Sequence, residues 1–115
     1  MNIKELKNYL NCDDAFLISL MEKFIDEVIE ITSIIQTATA NKDWETVKAN
    51  AHKMLSSVRI FEMQEIILVL EKLEIEAGGQ KNTEIIKQDV EKLSKLINKV
   101  IYDMKAGLEE IKTTH

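Results

Sequence analysis

The sequence predicts an all-α protein, an antiparallel up-and-down four-helix bundle with a short extra N-terminal helix. Three observations carry that expectation. Apolar residues recur at steps of three and four along most of the chain, which gathers them on one face of a helix. Proline is absent and there are three glycines, two of them adjacent at Gly78 and Gly79, so few positions interrupt helical backbone. Short connections separate the long segments, as expected of helices that fold back on their neighbours.

Residues 3 to 10 read as a short first helix with Ile3, Leu6 and Leu10 on one face, followed by Asn11 or Asp13 as a cap for what comes next. From about Asp14 to Ala40, Leu17, Leu20, Phe24, Val28, Ile31, Ile35 and Ala38 mark a long amphipathic helix. Its β-branched cluster (Ile29, Ile31, Thr32, Ile34, Ile35) weakens intrinsic helicity, so packing must hold it. Asn41-Lys42-Asp43 is the first clear break, and Asp43 is a natural N-cap for a third helix whose Trp44 should pack at the bundle end. A turn between Arg59 and Glu62 is expected, because the apolar stripe shifts there to Met63, Ile66, Ile67, Leu70 and Leu73. Gly78-Gly79 is the strongest stop signal, since glycine readily takes the left-handed conformation that ends a helix. After a loop through Asn82, Ile86, Val90, Leu93, Ile97, Val100, Met104, Leu108 and Ile111 give a last long helix from Thr83 to about Ile111. The tail Lys112-Thr113-Thr114-His115 has no apolar partner and should fray, which makes His115 a poor candidate for chemistry.

Length and composition lead us to expect one domain over residues 1–115, burying an ordinary core. A lone cysteine, Cys12, excludes an internal disulfide, and no Cys/His set has zinc-ligand spacing, which fits a reducing cytoplasm. No basic-then-apolar leader opens the chain and no segment approaches a membrane-spanning length, so a soluble protein without membrane insertion is expected. With a net charge of −5, the chain lacks the broad basic face that binds nucleic acid. Glu22, Asp26, Glu27 and Glu30 crowd one helix, but no Glu-x-x-His occurs, so they read as a solvated face and not as a di-metal site.

One residue stands apart from this packing pattern. Val47, Ala51, Met54, Val58 and Phe61 form the buried stripe of the third helix, and His52 lies roughly 140° from its centre. The imidazole should meet solvent, with Ala49 and Ser56 as small neighbours, Leu55 at its flank, and the cations Lys48, Lys53 and Arg59 within two turns. No acidic residue occurs between Glu45 and Glu62, so a local cationic patch is expected on an otherwise acidic chain. Such a setting suits in-line approach of a phosphoryl group and attraction to it once transferred. Hydrolytic chemistry is poorly supported: no nearby acid in the sequence orients the imidazole, and an exposed helix face has no oxyanion pocket. There is no glycine-rich phosphate loop for ATP, hence no expected autokinase activity.

Asp43-Trp44, Ala51-His52-Lys53-Met54, Ser56-Ser57, the apolar pair Ile66-Ile67 and the closing Leu70-Glu71-Lys72-Leu73-Glu74 together resemble the histidine phosphotransfer (HPt) domain. The resemblance implies a phosphorelay intermediate and phosphocarrier: His52 would take a phosphoryl group from the aspartyl phosphate of a response-regulator receiver and pass it to another receiver's aspartate. It implies a hybrid sensor histidine kinase among the partners and no cofactor on this chain, the magnesium belonging to the receiver. The family pattern continues after the histidine with lysine at +3 and glycine at +4, whereas this chain has Leu55 and Ser56. Lys48 and Arg59 are better placed than Lys53 to replace that lysine, and Ser56 stays small, with a hydroxyl available to orient the imidazole. Ala49 and Leu55 are the residues expected to touch a docked receiver, and the protein is expected to be a monomer. The rival class is a non-catalytic helical module that binds or sequesters a partner through apolar positions in excess of one core stripe, such as Ile18, Ile29 and Ile75.

Overall fold

The computed structural model describes residues 2–80 and 82–113. Five helices follow one another with no strand among the described residues: α1 (Ile3–Leu10), α2 (Asp14–Ala40), α3 (Trp44–Ile60), α4 (Gln64–Gly79) and α5 (Thr83–Thr113). The starts are capped by the side chains the sequence offers. Asp13 accepts from the Phe16 amide at 2.8 Å, Asp43 from the Thr46 amide at 3.2 Å and Asn82 from the Ile85 amide at 3.1 Å, each satisfying an otherwise orphaned donor.

Helix α2 packs against α3 and α5, and α4 packs against α3 and α5, so each long helix has two principal neighbours. The side-chain pairs run in opposite chain directions across the α2–α5 and α3–α4 seams. Gln36 meets Ser94 while Glu22 meets Lys112 further along, and His52 meets Glu74 while Lys48 lies against Gly78. The interior is filled by Leu17, Met21, Val28, Ile31, Ile35, Val47, Met54, Leu70, Leu73, Ile86, Leu93, Ile97 and Met104. Phe24 and Phe61 meet edge to face with centroids 4.8 Å apart, and Trp44 is buried at the start of α3.

Three details depart from the sequence expectations. The turn after α3 comes at residues 61–63, slightly later than Arg59–Glu62, and Met63 serves as N-cap of α4 without a side-chain bond. Gly78 and Gly79 do not stop α4: both are helical, and Gln80 takes the left-handed conformation at φ 53°. In fact Asn11, Lys42, Glu62 and Gln80 make a left-handed turn after each of the first four helices, and no glycine does so. Glycine is placed where neighbours come close instead. A Cβ on Gly107 would stand 3.0 Å from Ile3 Cδ1, so its absence admits α1 against α5. Finally, Lys112 and Thr113 continue α5, with Lys112 Nζ 3.4 Å from a Glu22 carboxylate oxygen, so the tail is helical two residues beyond the expected end. Thr114 and His115 lie outside the described residues.

Candidate functional site

Helix α3 buries Val47, Ala51, Met54, Leu55, Ser57 and Val58 between α2 and α4, and the same rotation turns His52 outward, its side chain 71% exposed. What the ring touches is decided by the next helix. Across the 61–63 turn α4 runs back along α3 in a register that sets Glu74 beside His52 and Gly78 beside Lys48. Glu74 Oε1 lies 2.8 Å from His52 Nδ1. An ionised carboxylate has no proton to give, so the hydrogen belongs to Nδ1, and a neutral ring held this way carries its lone pair on Nε2. The exposed nitrogen is therefore the nucleophilic one, with the ring's orientation fixed from behind.

This carboxylate was not foreseeable from the local sequence, which has no acid between Glu45 and Glu62. Glu74 is 22 residues from His52, and the signal that would have found it is the hairpin register: with the turn at 61–63, position 74 falls opposite 52. The anchor expected of the Ser56 hydroxyl belongs to Glu74.

The expected cationic patch is also modified. Lys48, Lys53 and Arg59 are exposed around the histidine, but α4 adds Glu71 and Glu74 to the same face. Arg59 Nη2 stands 3.7 Å from Glu71 Oε2, with both side chains about half exposed, a pair worth roughly 0 to 1 kcal/mol. The Lys48 stem lies over Gly78, whose missing Cβ would sit 3.4 Å from Lys48 Cδ. That carries the ammonium toward the C-terminal turn of α4, where orphaned carbonyls favour a cation.

Ala49 and Ser56 are exposed beside the ring, leaving space for close approach. Leu55 is not available. It is 2% exposed, because it lies about 60° from His52 on the flank that α4 covers. The apolar residues that do meet solvent on α3 and α4 are Ile60, Leu68 and Ile75, none of which the sequence reading connected to the site. Among the described residues no group of three His, Cys, Asp or Glu side chains stands close enough to hold a metal ion, and no helix is long and apolar enough to cross a membrane. The arrangement can present the lone pair of a held, exposed imidazole to an approaching electrophile.

In comparison with known proteins, residues 19–112 fit the protein-family model described as Hpt domain. No curated protein and no solved structure matches the chain.

Proposed function

The chain belongs to the Hpt domain family, phosphotransfer modules of two-component systems, and on that premise we propose that His52 is its phosphoacceptor. The observation that carries the proposal is the 2.8 Å contact between Glu74 Oε1 and Nδ1 of an imidazole that is otherwise exposed. Nε2 attacks the phosphorus of a receiver's aspartyl phosphate. The N–P bond forms as the P–O bond to the aspartate breaks, and the electron pair leaves with the carboxylate. The ring then carries Nδ1–H and a positive charge that the Glu74 carboxylate stabilises. In the second half the aspartate of another receiver attacks the same phosphorus and the pair returns to Nε2.

Glu74 is a positioning residue throughout, since it keeps the proton on Nδ1 and prevents the ring from turning. Lys48, Lys53 and Arg59 attract the incoming phosphorylated pocket and balance the phosphoryl charge of about −1.5 to −2, with Arg59 weakened in this by Glu71. Ser56 and Ala49 keep the approach open. The magnesium ion and the remaining transfer machinery belong to the receiver, and the domain itself neither binds ATP nor needs a cofactor. In this reading the chain is a single domain whose four long helices form an antiparallel up-and-down bundle with α1 added. It works as a monomer in the cytoplasm between a hybrid sensor histidine kinase and a downstream response regulator.

The test is labelling by a phosphorylated receiver. The wild-type protein should acquire acid-labile, alkali-stable phosphate, and His52→Gln should acquire none while keeping its helical spectrum and melting temperature. Labelling of His52→Gln at the wild-type rate would reject the site. An unlabelled wild-type protein that still binds receivers would favour sequestration without transfer.

A further inference from the structure

Helices α2 and α5 present opposite charges to solvent. On α2 the exposed Glu22, Asp26 and Glu30 give an acidic surface, in keeping with the chain's net charge of −5. On α5 no acid occurs between Glu91 and Asp103, and that stretch holds Lys92, Lys95 and Lys99. With Tyr102 they follow one another at steps of three and four, which aligns them on one side of the helix, opposite the buried Ile86, Leu93, Ile97 and Met104. All four are exposed, Tyr102 by 77%. Lys95 pairs with Glu91 at 3.5 Å, an exposed contact of little worth, and among the described residues Lys92 and Lys99 form no ion pair.

An apolar strip runs beside this row. Across the α4–α5 seam Lys72 meets Asp89, so Leu68, one turn before Lys72, comes level with the turn of α5 that starts near Lys92. Leu68 is 57% exposed. Further toward the 61–63 turn, a groove of about 240 Å³ opens between the same two helices, lined by Met63, Leu96 and Val100 together with Lys99, Glu65 and Asp103. The face lies across the bundle from His52, because α3 and α5 are the diagonal pair, each packing chiefly against α2 and α4.

We infer that the α4–α5 face is a docking surface separate from His52, and that its occupant is an acidic amphipathic helix of a partner protein. Leu68, Leu96 and Val100 take the apolar side of that helix, and Lys92, Lys95 and Lys99 take its carboxylates. Cations three and four residues apart match carboxylates at the same spacing on a helix laid alongside, as charged flanks do between paired helices. Nucleic acid and anionic membranes fit less well. The cationic surface extends about 10 Å along α5 before Glu91 closes it at one end and Asp103 at the other, and an extended phosphate surface would meet both acids. A helix held here leaves His52 open, so the partner can stay attached while receivers come and go, which keeps the domain at a high local concentration beside it. The docking itself does not rest on His52 being the phosphoacceptor.

The experiment titrates the full, isotope-labelled chain with a blocked synthetic peptide of about 14 residues, enough for the matching turns, that carries Leu and Glu on adjoining helix faces. Amide signals around Leu68 and from Lys92 to Asp103 should move, and those around His52 should stay still. Lys95→Glu combined with Lys99→Glu should raise Kd about tenfold at low ionic strength, and Leu68→Ser about threefold. Melting curves check that these variants fold. The neutral pair Lys95→Gln and Lys99→Gln should give an intermediate rise, which keeps the test valid if charge reversal disturbs α5. The absence of shifts, shifts centred on α3, or equal affinity for a scrambled peptide of the same composition would overturn the inference. So would tighter binding of oligothymidylate or phosphatidylserine vesicles to the same face.

Discussion

Two of the contacts that tie helix α4 to its neighbours are similar in length and opposite in character. Toward α3, Glu74 reaches Nδ1 of His52 at 2.8 Å, and the ring it holds remains largely in water. Toward α5, Lys72 Nζ reaches Asp89 Oδ1 at 3.2 Å, and there it is the carboxylate that is buried, its Oδ2 without a hydrogen-bond partner. The difference teaches which contact serves the fold. A buried carboxylate is costly unless a cation stays beside it, so Lys72 and Asp89 constrain how α4 sits on α5. The exposed pair contributes little to folding, and its worth lies in which nitrogen it leaves free.

The sharpest way to break the contrast is to truncate the carboxylate of the exposed pair. Glu74→Ala should lower the rate of transfer from a phosphorylated receiver by roughly ten- to a hundredfold, the ring being free to take either tautomer and turn. Its urea midpoint should correspond to a stability change below about 1 kcal/mol. Glu74→Gln should recover part of the rate, because the amide oxygen still accepts from Nδ1–H.

The reciprocal change is Lys72→Met. It should leave transfer per folded molecule unaltered but destabilise the protein by about 1 to 3 kcal/mol, below the usual figure for breaking a buried pair because Lys72 is half exposed. Chemical denaturation checks it. Equal damage from both substitutions to the same property would remove the distinction between the two seams.

Smaller effects sharpen the picture of the site's borders. Gly78→Ala should raise stability by about 0.5 to 1 kcal/mol, since the residue is helical and exposed and its new methyl would meet the flexible Lys48 stem at ordinary contact distance. A melting curve and a transfer assay together test this, the rate being expected to stay within a factor of about two. The smallest effect is expected for Arg59→Ala. Transfer should slow a few-fold at low ionic strength and lose part of its salt dependence, consistent with an exposed, partly neutralised cation worth about 0 to 1 kcal/mol. No change at low salt would remove Arg59 from the mechanism.

Much of this architecture is legible in the sequence because it depends on local periodicity. The extents of α1 and α2, the Asp43 cap, the buried Trp44 and the outward turn of His52 all follow from spacing and capping chemistry. The misreadings share a cause. Leu55 looked exposed because a wheel centred on one stripe ignores how widely two neighbouring helices cover α3. Gly78-Gly79 looked like a stop because their backbone freedom is visible in sequence, whereas the Lys48 stem that lies against Gly78 is not.

By itself, the sequence determined that the chain is helical, where most helices begin, and that one histidine is displayed away from the core. These are properties of residues within a few positions of one another. Tertiary structure alone decided which nitrogen of that histidine is free, that two carboxylates share its face, and which apolar side chains remain uncovered beside it. The reason is distance along the chain: Glu74 and His52 are 22 residues apart and become neighbours only when α4 packs back on α3 in one register.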